Sequence, residues 1–248
     1  MPRFADHFSA RAAGYARFRP RYPDALLAWL AERAPARERA WDCAAGNGQA
    51  SDALAGHFDL VVATEPSAAQ VAAREPHARV RWVRATAEAV PLADRSVDLA
   101  TVAQALHWLD RDAFYAEARR VLRPGGVLAV WSYGLLTVTP AVDAVVRELH
   151  EPVLGDYWPA GRWWVDAGYA SLDFPFAELS PPPFAMQAGW TLPDLLGYLD
   201  TWSAARAYRE RHGADPLDLV RDRLRDAWGG DERRTVRWPL AIRAGRVG

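Results

Sequence analysis

Between residues 40 and 131, short apolar runs alternate with segments of helical periodicity, the βαβ pattern of a parallel sheet. The pattern predicts strands near 40–44, 60–64, 80–84, 97–103 and 126–132, with helices between them. The helix over 111–122 is the clearest, and Arg123-Pro124-Gly125-Gly126 ends it: proline cannot continue a helix and the glycines free the turn. Upstream, residues 4–34 read as one or two helices, with Tyr22-Pro23-Asp24 opening the amphipathic run Ala25–Leu30. Beyond 133 the alternation stops. A helix over 140–151 precedes an aromatic loop, Asp156-Tyr157-Trp158-Pro159-Ala160-Gly161-Arg162-Trp163-Trp164, which reads as a lid. Residues 174–188 supply a further strand, Thr191-Leu192-Pro193-Asp194 opens a helix through about 211, a second helix covers 216–228, and 235–243 is the last strand. One α/β domain over 1–248 is expected: a helical cover (1–39), a ligand-binding half (40–132), a lid insertion (133–173) and a substrate side with the last strands (174–248).

Composition narrows the partners. With 248 residues, half of them hydrophobic, the chain can bury a full core. Its formal charge of −1 and the absence of a basic run argue against nucleic acid as a partner. No stretch approaches the ~20 apolar residues that cross a bilayer, and the start does not resemble a secretory signal, so a cytoplasmic location is expected. The single cysteine, Cys43, lies inside a strand and reads as a small buried residue. All 30 basic residues are arginine. Without lysine there is no Schiff-base or pyridoxal-phosphate enzyme and no Walker phosphate loop. The histidines are scattered, so no metal site is expected.

The candidate chemistry centres on Ala40-Trp41-Asp42-Cys43-Ala44-Ala45-Gly46-Asn47-Gly48-Gln49-Ala50-Ser51, a strand running into a glycine turn that opens a helix. Gly46 and Gly48 accept backbone angles closed to other residues and let a ligand approach the main chain. Dinucleotides and S-adenosylmethionine both use this construction. A dinucleotide site places a third glycine where Ser51 stands, and Asp42, four residues before Gly46, would repel a pyrophosphate. A cofactor with an amino group and no phosphate fits better, and a dinucleotide oxidoreductase stays as an alternative.

With these residues the chain resembles the class I S-adenosylmethionine-dependent methyltransferases, whose first motif runs acid, small residues, Gly, x, Gly. Glu65 closes the run Leu60–Glu65; Ala85–Leu92, Val97-Asp98-Leu99 and Gln104-Ala105-Leu106-His107-Trp108 follow the family's later cofactor stretches, and Leu122–Leu128 its turn before the fifth strand. The resemblance implies a Rossmann-like seven-stranded, mostly parallel sheet with an antiparallel last strand and a helical, aromatic cap. It also implies S-adenosylmethionine as cofactor and S-adenosylhomocysteine as product, with a monomer or homodimer expected. Asp42, Ala44, Gly46 and Gly48 would hold the cofactor's amino-acid part, Glu65 and Pro66 the ribose, and Thr86, Ala87 and Glu88 the adenine, with Gln104 at the end of the fourth strand. Many relatives carry Asp at the position of Thr86. Tyr15, Arg19 and Tyr22 would cover the site.

The acceptor implied is a small molecule. If it must lose a proton, His107 is the candidate base. A carboxylate needs no base but wants a guanidinium fork, for which Arg19, Arg162 and Arg206 are candidates. Tyr22, Trp108, Arg162, Trp163 and Arg206 would line the substrate side. Tyr198–Tyr208 and Gln104–Trp108 are similar to the small-molecule subgroup that includes trans-aconitate methyltransferase, which points to an acidic acceptor. A non-catalytic module that binds the cofactor as a sensor is the other alternative.

Overall fold

A computed structural model describes residues 20–72 and 76–248. Tyr15 and Arg19, expected to cover the site, lie outside the described residues. Helix α1 (Asp24–Arg33) leads into strand β1 (Arg39–Cys43), followed by α2 (Gln49–Leu54), β2 (Leu60–Thr64), α3 (Ala68–Ala72), β3 (Val80–Val83), β4 (Val97–Ala103), α4 (Arg111–Val121) and β5 (Leu122–Tyr133). The strand order is β3-β2-β1-β4-β5, all parallel, so each crossover carries the chain back for another strand of the same direction. Register aligns the strand ends: Cys43 of β1 stands beside Thr64 of β2 and Val102 of β4. The loops that follow these strands therefore meet on one edge. Along β5, Val127, Ala129 and Trp131 join one buried cluster while Leu128 and Val130 join the other, so the sheet is covered on both faces.

Past β5 the remaining elements are α5 (Pro140–Glu148), α6 (Arg162–Asp166), β6 (Ala177–Leu179), β7 (Ala185–Trp190), α7 (Leu192–Asp200), α8 (Ser203–His212), α9 (Arg221–Trp228) and β8 (Arg234–Arg246). The antiparallel last strand is present as β8. Residues 240–246 of β8 pair with β5, those from 244 to 246 also pair with β6, and 234–239 pair with β7. Eight strands form among the described residues, where the sequence reading gave seven. The extra one arises because the segment 174–188 divides at Pro181-Pro182-Pro183, which has no N–H groups for a ladder.

Other boundaries shift for local reasons. Strand β5 starts at Leu122, so Pro124-Gly125-Gly126 lies within it; Gly125 adopts φ +76° and donates its N–H to the Val247 carbonyl at 3.1 Å. The helix predicted over 191–211 breaks at Trp202, whose backbone is extended. The helix predicted over 216–228 is a 3₁₀ turn, Pro216–Leu219, followed by α9. The helix predicted over 140–151 leaves α geometry after Glu148 and winds through a π turn, Leu149–Val153. Pro152 has no N–H to return to Glu148, and Leu154 bonds the Leu149 carbonyl instead, at 3.0 Å. No helix among the described residues is long and apolar enough to cross a membrane.

Candidate active site at the carboxyl edge of the sheet

The glycine turn leaves β1 through alternate left-handed residues, Ala44 (φ +53°), Gly46 (+52°) and Gly48 (+78°), the last capping α2. A side chain at Gly46 would be strained by that angle, and its Cβ would meet the Gln70 amide oxygen at 3.5 Å. Glu65, only 4% exposed, grips the turn from the end of β2: one carboxylate oxygen accepts the Gly46 N–H at 2.9 Å and the other the Ser67 N–H at 3.0 Å. Pro66, beside it, accepts from Arg84 Nε at 3.1 Å through its carbonyl. The Trp41 indole N–H bonds Thr64 Oγ1 at 2.9 Å and locks the two strand ends together.

Asp42 is completely buried. Its carboxylate accepts from Ser51 Oγ at 2.5 Å and from Thr101 Oγ1 at 3.0 Å, one hydroxyl from α2 and one from β4. Burial pushes its pKa up to about 6 against the pull of those two bonds. Ser51 thus takes the place of a packing glycine in order to hold an acid beneath the turn. In the sequence Ser51 stands out only as the replacement of a third glycine, and Thr101 not at all. Cys43, next to Asp42, is buried and its thiol pKa is raised, as expected for an inert side chain.

Of the residues expected against adenine, Thr86 is exposed and bridges to Ala89, Ala87 is buried, and Glu88 accepts the Asp110 N–H at 3.2 Å, at the start of α4. Gln104, at φ +57°, spends its amide on the backbone of Tyr133: Nε2 donates to the carbonyl at 3.1 Å and Oε1 accepts the N–H at 3.2 Å. It ties the end of β4 to the end of β5, and both polar atoms of its amide are engaged.

The residues expected on the acceptor side fall on a 3₁₀ turn, Leu106–Trp108, and on α6. His107 Nδ1 lies 2.9 Å from the hydroxyl of Tyr169, a buried residue at φ +60° that sequence reading missed. Burial, and after it the Arg162 charge, lower the His107 pKa to about 4, so the ring is uncharged at neutral pH. Gly161 (φ +90°) packs beside Trp164 and the His107 carbonyl and delivers Arg162 to this place. Arg162 bonds Asp166 through Nε at 3.0 Å and lies 4.3 Å over the Trp158 ring; its terminal nitrogens have no hydrogen-bond partner among the described residues. Trp108 and Trp163 stand at the surface, 44% and 57% exposed, and Tyr22 is buried with its ring edge-on to Trp131 at 5.3 Å.

Two predicted or overlooked residues complete the picture. Arg206 does not join this cluster: Ala204 and Ala205 take the buried side of α8, while Arg206 points to solvent and pairs with Glu210 at 3.7 Å. His150, on the π turn, was not predicted. It is 7% exposed, and neither ring nitrogen has a hydrogen-bond partner among the described residues. Each such orphan costs about 1–3 kcal/mol. Burial and then the Arg162 charge lower its pKa, against the opposing pull of Asp166 and Glu151. No group of three or more metal-ligating side chains occurs among the described residues.

Comparison with known proteins bears on this geometry. A family model described as a methyltransferase domain matches residues 41–130. A Dictyostelium discoideum protein bearing a methyltransferase name is 34% identical over 230 residues, covering 91% of this chain and 88% of that one. A solved structure from Anaeromyxobacter dehalogenans, bearing the name of a type II methyltransferase, is 51% identical with a TM-score of 0.88, covering 92% of this chain and 97% of that one. A Methylococcus capsulatus protein named malonyl-[acyl-carrier protein] O-methyltransferase is 35% identical over 149 residues, 53% of this chain and 51% of its own.

Proposed function

Because the chain belongs to the class I S-adenosylmethionine-dependent methyltransferases, we propose that it transfers the methyl group to the carboxylate of a small molecule. The turn fits the cofactor: a Cβ at Gly46 would stand in the cradle, and an acid closes the end of β2. S-adenosylmethionine supplies a methyl group already activated on a sulfonium. The protein's part is therefore alignment and exclusion of water, and positioning of this kind contributes roughly 7–11 kcal/mol.

In this reading Ala44, Gly46 and Gly48 offer backbone to the amino-acid part of the cofactor. Asp42 acts from beneath, fixing Ser51 and Thr101 and lending negative charge under the ammonium. Glu65, with Pro66 beside it, exchanges backbone N–H groups for ribose hydroxyls, and Thr86, Ala87 and Glu88 flank the base. Gln104 contributes by holding the ends of β4 and β5 in register. Trp108, Trp163 and Tyr22 wall the approach of the acceptor.

The observation that carries the carboxylate is an uncharged His107 within the field of the Arg162 guanidinium. An imidazole whose conjugate acid has a pKa of about 4 is a weak base for an alcohol or ammonium acceptor, since efficient bases titrate near the working pH. A carboxylate is already ionised, and Arg162 has terminal nitrogens without a hydrogen-bond partner among the described residues to orient it. The name of the Methylococcus capsulatus relative, an O-methyltransferase, agrees with an oxygen acceptor. The test is incubation with methyl-labelled S-adenosylmethionine and a panel of small carboxylic acids. A methyl ester releases its label as volatile methanol in mild alkali. Label that enters product but survives alkali would exclude a carboxylate acceptor.

A further inference from the structure

The Arg162 charge acts on two histidines, His107 and His150. His107 has a partner in Tyr169; His150 has none among the described residues. The His150 ring is enclosed by Trp158 at 4.8 Å and Trp202 at 5.7 Å between centroids. Its backbone is engaged although its side chain is not: the carbonyl that the π turn releases accepts the Trp158 indole N–H at 3.0 Å. The Asp166 carboxylate lies 4.0 Å from Nε2, beyond a hydrogen bond, and Glu151 follows on the same turn. The cluster stands at the carboxyl end of β5, where a Cβ on Gly134 would come within 3.8 Å of Asp166.

A histidine that serves only packing is paired at one nitrogen or more, as buried polar groups almost always are. Here both nitrogens are orphaned among the described residues, on a π turn, a distortion often found at functional sites. A neutral imidazole offers one donor and one acceptor. Asp166 and Glu151 nearby disfavour a second anion at that point but not an uncharged oxygen.

We propose that His150 hydrogen-bonds an uncharged oxygen of the acceptor, a hydroxyl or carbonyl, while Arg162 holds the carboxylate that is methylated, so that the enzyme selects hydroxy or oxo acids over unsubstituted ones. This inference rests on the carboxylate reading above. A substrate lacking that oxygen leaves the imidazole unpaired, and polar sites discriminate most strongly in that direction.

The test compares straight-chain monocarboxylic acids of matched length, unsubstituted or carrying a hydroxyl or oxo group at successive carbons, by kcat/KM with labelled S-adenosylmethionine. The wild-type protein is expected to prefer one substituted position at least tenfold. His150→Phe should lower that ratio at least tenfold without changing calorimetric affinity for S-adenosylmethionine, and His150→Asn, which keeps a donor and an acceptor, should recover part of it. The imidazole nitrogen signals of His150, assigned by their loss in His150→Asn, should shift when the preferred acid joins the complex with S-adenosylhomocysteine. The matched unsubstituted acid should leave them in place. Should His150→Phe fail to fold, the asparagine variant and these signals decide. A wild-type ratio in a folded His150→Phe protein, or unshifted His150 signals, overturns the assignment of His150 alone. Absence of any alkali-labile product from wild-type protein overturns the carboxylate reading, and this inference with it.

Discussion

The ends of β1 and β2 and the segment after β5 both hold polar groups in nearly dry surroundings, yet they are finished differently. Around the glycine turn the acids have partners already: Asp42 has Ser51 and Thr101, and Glu65 has the Gly46 and Ser67 amides. After β5, His150 and the terminal nitrogens of Arg162 have none among the described residues. A site that serves one cofactor can be preorganised by the fold, since every turnover uses the same ligand. The side proposed for the acceptor leaves bonding capacity for the molecule that completes it. Perturbing the first region should therefore remove binding outright, and perturbing the second should change which acceptor is used.

The largest effect is expected from Gly46→Val, which puts a branched side chain at φ +52° and against Gln70. Calorimetric binding of S-adenosylmethionine should be abolished while circular dichroism stays native. Normal binding would remove the cofactor from this turn. With the ribose role proposed for Glu65, Glu65→Ala deletes two charge-assisted bonds at roughly 1.5–3 kcal/mol each, so affinity should fall at least tenfold, and a folded variant with unchanged affinity would contradict that role.

Asp42→Asn separates stability from function. The acid's folded pKa is raised from 3.8 to about 6, so its stabilising contribution is complete below pH 4 and is lost as pH rises through 6. At pH 7 the buried charge costs on the order of 3 kcal/mol, and asparagine avoids it. The variant should melt higher than wild type at pH 7, show a flatter stability profile between pH 4 and 6, and bind S-adenosylmethionine less well. A lower melting temperature at pH 7 would mean that the hydrogen bonds of Ser51 and Thr101 outweigh desolvation. The smallest effect is expected at His107: with a carboxylate acceptor, His107→Gln should reduce kcat less than tenfold when measured above pH 7, where Asp42 is ionised. A loss of about 10²–10⁴, the range for general base catalysis, would assign His107 the proton instead.

What could be read in advance follows the same division. The strand positions and the turn were legible because periodicity and glycine placement are local, and β1, β2 and β4 lie where the apolar runs lie. The partners of Asp42 were not, since Thr101 stands 59 residues away and only the parallel register of β1 and β4 brings it close. The exposure of Arg206 and its pairing with Glu210 were not legible, because an arginine in an aromatic segment looks the same in sequence whichever way its helix faces. Tyr169 and His150 gave no local signal; the first depends on a left-handed backbone position, the second on a π turn forced by Pro152. The proline run at 181–183 was visible, and its power to divide one strand into two follows from backbone chemistry alone.

Strand β8 also has a consequence for how the molecule assembles. It pairs Leu240 with Tyr133 of the cofactor half, and through Pro239 and Trp238 it reaches β7, which precedes the cap helices. Both partners are synthesised before it. While the chain is emerging, β5 presents an unpaired edge and β7 has no neighbour, two liabilities for association with other copies. The arrival of residues 234–246 closes both at once, so these two parts should become protected together. Pulse-labelled hydrogen exchange during refolding would see β5, β7 and β8 acquire protection in a single late phase, after α4 and the β1–β4 core have formed.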